Sequence, residues 1–96
     1  MPIKTIIELQ AKPGQRDQLL SIMDEVTTTM QAVPGFLGFE FYEVLENPDG
    51  LVEIAGWESP EARQTWIQQS TDSGALNLLM LSLDAPFKAT NIQPIP

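Results

Sequence analysis

The 96-residue chain contains no cysteine and no histidine. Without cysteine there is no disulfide framework and no thiolate nucleophile. Without histidine there is no Ser-His-Asp triad, no imidazole general base and no histidine-ligated haem or zinc. A carboxylate site for a hard cation remains open to such a chain, but no Asp-x-Asp-x loop is present, so neither a metal nor a cofactor is expected. Bases are scarce too. Five Lys and Arg stand against 13 Asp and Glu, for a net charge of −8. Lys4, Lys12, Arg16, Arg63 and Lys88 are scattered along the chain. Nucleic acid and anionic membrane both require a clustered basic face, so neither is an expected partner. There is no long apolar run and no charged-then-apolar leader, and the expected location is the cytoplasm.

What is present suffices for one folded domain spanning 1–96. Hydrophobic residues make up 43% of the chain, enough for a core. A domain this small buries a limited share of its surface, so self-association is an expected source of added stability.

Ile3 to Ala11 alternates with period two and predicts a strand. Lys12-Pro13-Gly14 breaks it. From Gln15 to Val33 the apolar residues Leu19, Leu20, Met23, Val26, Met30 and Val33 fall at helical steps, and Pro34-Gly35 ends the helix. Thr27 to Thr29 lower its propensity without destroying it. Phe36 to Glu46 predicts the longest strand, with Leu37, Phe39, Phe41 and Leu45 on one face and Phe36, Gly38, Tyr42 and Val44 on the other. Asn47-Pro48-Asp49-Gly50 predicts the turn of a hairpin. Its returning strand, Leu51 to Trp57, puts Leu51, Glu53, Ala55 and Trp57 on one face.

Ser59 then suits a helix N-cap, Pro60 its first position, and Glu58 and Glu61 its positive end. This second helix is predicted from Pro60 to about Ser70, with Ala62, Trp66 and Ile67 inward. Ala75 to Leu83 is almost wholly apolar and predicts a short, buried helix. Phe87 to about Gln93 predicts a last strand, and Pro94-Ile95-Pro96 a tail.

This order predicts an α+β domain of ferredoxin-like βαββαβ type, with one antiparallel sheet and its helices on a single face. Both faces of the long strand are apolar, and helices can cover only one. The simplest cover for the other is a second copy of the sheet, so a sheet-to-sheet homodimer is expected.

The residues resemble the antibiotic biosynthesis monooxygenase (ABM) family of dimeric α+β barrels over nearly the whole chain. The carriers are Lys12-Pro13-Gly14 after the first strand, Pro34-Gly35-Phe36-Leu37-Gly38-Phe39 entering the second, and Trp57-Glu58-Ser59-Pro60-Glu61-Ala62 leaving the third. Members of the family include cofactor-independent quinol and anthrone oxygenases and haem-degrading enzymes. The haem-degrading branch uses a histidine ligand and an asparagine on the first strand. This chain has Ile7, Glu8 and Leu9 in that region and no histidine, so haem degradation is not expected. The resemblance implies cofactor-independent oxygenation of a quinol-like or polyphenolic aromatic in a cleft between sheet and helices. The alternative is a non-catalytic barrel that binds a small hydrophobic ligand, as a stress-response or scaffold module.

Trp57 matches the family tryptophan that lines this cleft. Glu53 shares its strand face and, if buried, has the raised pKa of a proton acceptor. Tyr42 and Asn77 are the other polar candidates for handling ligand oxygens. Phe39, Trp57, Trp66 and Met80 are candidate apolar walls, and Arg63 a candidate partner for an anionic group. Each also has a plain structural role to play: helix–sheet packing for the aromatics and methionine, an ion pair or solvated face for the charged residues.

Overall fold

The computed structural model describes residues 2–96. Its elements are β1 (Ile3–Gln10), α1 (Arg16–Gln31), β2 (Phe36–Val44), β3 (Asn47–Trp57), α2 (Pro60–Ser73), α3 (Asn77–Leu81) and β4 (Lys88–Ile92). The strands form one antiparallel sheet in the order β2-β3-β1-β4. This is the predicted α+β, ferredoxin-like arrangement. No helix among the described residues is long and apolar enough to cross a membrane.

The alternation in β1 decides which sheet face is covered. Ile3, Thr5, Ile7 and Leu9 are buried, and the residues between them are exposed or half-buried. Directly paired residues share a face. The partners Leu51, Glu53, Ala55 and Trp57 of β3 are therefore buried on the same side. Leu19, Met23, Val26, Thr27 and Met30 of α1 close over them, and Trp66 of α2 completes the layer.

The start of α2 is locally specified. The Ser59 hydroxyl accepts a hydrogen bond from the Ala62 amide at 3.2 Å, and Pro60 occupies the first helical position. Gly35 makes the neighbouring corner. Its φ is +96°, and a Cβ there would stand 2.8 Å from the Ala62 Cβ. Its carbonyl accepts the Glu58 amide at 2.8 Å. The entry to β2 and the exit from β3 are thus pinned together around Trp57.

Three expectations are corrected. The hairpin turn is Leu45-Glu46, not Asn47-Pro48-Asp49-Gly50, which belongs to β3. Pairing passes from Glu43↔Leu51 to Val44↔Asn47, leaving Pro48, Asp49 and Gly50 as a bulge without partners on β2. The polar groups of the bulge are engaged with the chain after β1: the Asp49 carboxylate accepts the Gly14 amide at 2.9 Å, and its carbonyl accepts the Ala11 amide at 2.8 Å. Neither Leu45 nor Glu46 has positive φ, so the turn lacks the twist of the usual tight hairpin, and the bulge takes up the difference.

The second correction concerns β2. A bulge between Phe36 and Gly38 shifts the alternation. Phe36, Phe39 and Phe41 all pair with helix-side residues, while Gly38 and Tyr42 face the other way. The third concerns the segment from 75 to 83, which is not a buried helix. Its helical part is five residues long, and a single turn can bury only one side. Leu79 is buried, but Leu78, Met80 and Leu81 are 54%, 50% and 72% exposed.

Candidate functional site

Glu53 is completely buried at the centre of the helix-facing layer. The strand alternation puts it there between Leu51 and Ala55, with Phe41 across on β2 and Ile7 across on β1. Its Oε2 accepts the Thr27 hydroxyl at 2.7 Å, whereas its Oε1 has no partner among the described residues. Burial pushes the Glu53 pKa up. The Thr27 hydrogen bond opposes this, and nearby Asp24 adds to the rise. The carboxyl therefore favours its protonated form more than an exposed glutamate does.

Trp57 lies two residues on, on the same face, and is 1% exposed. Phe36 meets it edge-on at 5.1 Å between ring centroids, and Trp66 lies tilted at 6.1 Å. The Trp66 indole donates to the Thr29 hydroxyl at 3.0 Å, which fixes that ring against α1.

Beside this layer is an apolar cavity of about 120 Å³. The sheet contributes Ile7 and Leu9, and α1 contributes Met23, Val26 and Met30. Trp66 and Arg63 close it from α2, and Leu76 and Leu79 close it from the segment around α3. An apolar cavity of ~150 Å³ is large enough to hold benzene, so the space is on the scale of one ring. Arg63 is its one charged lining residue. Burial lowers the Arg63 pKa, but a guanidinium remains cationic at any ordinary pH.

The candidate residues are therefore divided. Trp66 and Arg63 line the cavity, and Glu53 and Trp57 are packed in the same layer beside it. Tyr42 is on the opposite sheet face, 45% exposed, with its hydroxyl donating to the Glu40 carboxylate. That hydrogen bond is the main cause of a raised Tyr42 pKa. Asn77 is exposed at the start of α3, its amide turned towards Gly74. Met80 points to solvent, and Phe39 lies on edge strand β2 between Phe36 and Phe41.

Thr27 was not among the candidates, although it is the direct partner of the one buried carboxyl. Its signal lay in the spacing. Thr27 falls between Met23 and Met30 on the buried stripe of α1, where a hydroxyl needs an acceptor.

A wider hollow of about 550 Å³ lies on the sheet face that carries no helix, lined by Lys4, Leu37, Gly38, Ile54, Gly56 and Ile92, among others.

The fold is shared with known structures. SnoaB, a cofactor-independent oxygenase from Streptomyces nogalater, superposes with a TM-score of 0.86 at 13% identity, over 99% of this chain and 94% of that one. Rv0793 from Mycobacterium tuberculosis gives 0.83 at 20% identity, over 100% and 97%. A candidate antibiotic biosynthesis monooxygenase from Chloroflexus aurantiacus J-10-fl gives 0.81 at 24% identity, over 100% and 95%. At these identities the likeness establishes the fold alone. No curated protein matches the sequence. The sequence model of the family described as "Antibiotic biosynthesis monooxygenase" matches residues 2–75. With most of its length matched and the same fold, the chain belongs to the antibiotic biosynthesis monooxygenase family.

Proposed function

We propose that the protein is a cofactor-independent monooxygenase acting on a quinol-like aromatic held between sheet and helices. The observation that carries this is Glu53: a fully buried carboxyl with one unpartnered oxygen, in a largely apolar layer that also holds Trp57 and Trp66. Burying such a group without complete hydrogen bonding costs stability, and arrangements of this kind concentrate at functional sites. Family membership and the likeness to SnoaB support the same chemistry.

The reaction makes few demands on the protein. A quinol becomes electron-rich enough to reduce oxygen once it loses a proton, and a dry cavity keeps the resulting anion from being quenched by water. One oxygen atom enters the ring and the other leaves as water. All the electrons come from the quinol, which ends as a hydroxyquinone. Glu53 lies in the layer beside the cavity, one strand from its wall residue Ile7, and accepts the phenolic proton once the ring reaches its free Oε1, a role that its raised pKa suits. Trp66 packs the ring, with Trp57 behind it at 6.1 Å between ring centroids. At about 120 Å³ the cavity suits a single-ring quinol, and a polycyclic phenol requires the wall formed by Leu76 and Leu79 to move. The working form is a homodimer built through the helix-free sheet face.

The alternative is a non-catalytic barrel that binds a small hydrophobic molecule. It is favoured by the place of Tyr42 on the opposite sheet face and by the exposure of Asn77, neither of which lines the cavity, so that Glu53 is left as the one acid–base candidate in the layer. Oxygen uptake and quinone absorbance, followed with a panel of quinols and anthrones, separate the two. Protein-dependent uptake that falls in Glu53→Gln or Trp57→Phe supports the monooxygenase. Tryptophan quenching by the same compounds without turnover supports the binding module.

A further inference from the structure

Three consecutive threonines, Thr27 to Thr29, lie in the second half of α1, and one of them bonds outside its own helix. The Thr28 hydroxyl donates to the Asp24 carbonyl at 2.9 Å and the Thr29 hydroxyl to the Val26 carbonyl at 2.6 Å. Ser21, Thr65 and Ser73 likewise donate to carbonyls of the helices that carry them. Thr27 donates instead to another element, at the Glu53 Oε2 2.7 Å away. It is 1% exposed on the buried stripe of α1. For packing alone a valine would fill that position, and a hydroxyl there could bond one turn back, as Thr28 does. A pair that served packing alone would also close both carboxyl oxygens, because a buried oxygen without a partner costs stability. Here Oε2 is held and Oε1 is open.

We infer that Thr27 is a positioning residue for proton transfer: it holds Oε2 of Glu53 whether the carboxyl is charged or neutral, which fixes Oε1 as the oxygen that gains and loses the proton. A threonine hydroxyl has one proton to donate. Given to Oε2, it makes that oxygen an acceptor in both states, so the acid proton of the neutral form resides on Oε1. The carboxyl then has no need to rotate between the two forms. The bond is stronger to the anion, being charge-assisted, and so opposes the burial that favours the neutral form. Ile7 of β1 and Phe41 of β2 flank Glu53 on the sheet, and Trp66 enters the layer from α2. None of the three is charged; Asp24, exposed on α1, is the charged group that acts on the carboxyl. Resting on Glu53 as the proton acceptor, this adds the residue that decides which of its oxygens accepts.

The test is a carbon-13 NMR titration of the Glu53 side-chain carboxyl in the intact wild type, Thr27→Val and Thr27→Ser, with near-ultraviolet circular dichroism to check folding. It needs no substrate. Thr27→Val keeps the shape and loses the hydroxyl, so its Glu53 should titrate at higher pH than in wild type. Thr27→Ser keeps the donor and should restore the wild-type titration. In wild type the Thr27 hydroxyl proton should exchange slowly and move downfield as Glu53 ionises, a readout that stands if Thr27→Val does not fold. A Glu53 titration unmoved in folded Thr27→Val, or a hydroxyl proton indifferent to Glu53 ionisation, would overturn the inference. With a quinol that turns over, Thr27→Val should lower kcat roughly tenfold, the effect of one hydrogen bond to a charged group, and leave KM little changed. The acid limb of its kcat profile should move to higher pH in step with the NMR titration. The expected titrations without turnover of any quinol would leave Thr27 as the residue that fixes Oε1 and sink the monooxygenase. Turnover with an acid limb that stays put in Thr27→Val would do the reverse.

Discussion

Glu53 shows at the scale of one residue how a sequence pattern becomes a chemical property. Alternation in β3 places it on the face of Leu51, Ala55 and Trp57, and that much follows from period two. Its complete burial and its half-satisfied carboxyl follow from the α1 stripe that sets Thr27 above it. The consequence for stability has a definite sign. Burial raises the folded-state pKa above the unfolded value of about 4.3, so folding favours the protonated form. This contribution is fully present below the unfolded pKa and is lost as pH rises through the raised folded pKa. Glu53→Gln should therefore stabilise the protein more at pH 8 than at pH 4.5, as measured by urea unfolding of both proteins across that range. An equal effect at both pH values would show that Glu53 is not the source of the difference. Arg63 is the opposite case: its position on α2 was legible, but its place beside the apolar cavity depended on three other elements.

At the scale of elements, local chemistry and tertiary demand agree at α2 and part at the hairpin. The Ser59-Pro60 start was legible because a cap and a proline act through neighbouring backbone. The C-terminal end was not, and α2 runs on to Ser73, where Gly74 with φ of +74° stops it. Asn47-Pro48-Asp49-Gly50 has the composition of a turn, yet it bulges from β3 because Asp49 bonds to the chain after β1, more than 30 residues earlier in sequence. No local rule contains that partner. The Gly35 corner yields the prediction proper to this scale. Gly35→Ala should destabilise by about 1–3 kcal/mol, since both positive φ and the close approach to Ala62 oppose a methyl group. Ser59→Ala, a change at the same junction without a clash, should cost about 1 kcal/mol. Chemical denaturation of the two variants checks the ranking, which reverses if the corner can relax.

At the scale of the whole molecule, four strands have two faces and the helices cover one. The uncovered face carries Ile6, Val52 and Ile54 half-buried by their neighbours, with Leu37, Tyr42 and Ile92 exposed. A second copy laid against it would bury this surface, so light scattering should report a dimer at low micromolar concentration. Ile54→Lys, at the middle of that face, should shift the mass towards the monomer with the helix-side core intact, as judged by near-ultraviolet circular dichroism. A monomeric wild type would sink the dimer. The sequence by itself determined the strand and helix order, the buried faces of β1, β3 and α1, and the absence of histidine and cysteine chemistry, because each depends on residue type and short-range periodicity. The tertiary structure alone decided the rest. It set the bulges that turned Phe36 inward and Tyr42 away, the exposure of Leu78, Met80 and Leu81, and the meeting of Glu53 with Thr27. These depend on contacts between residues far apart in the chain, whose cost and gain are settled only when sheet and helices pack together.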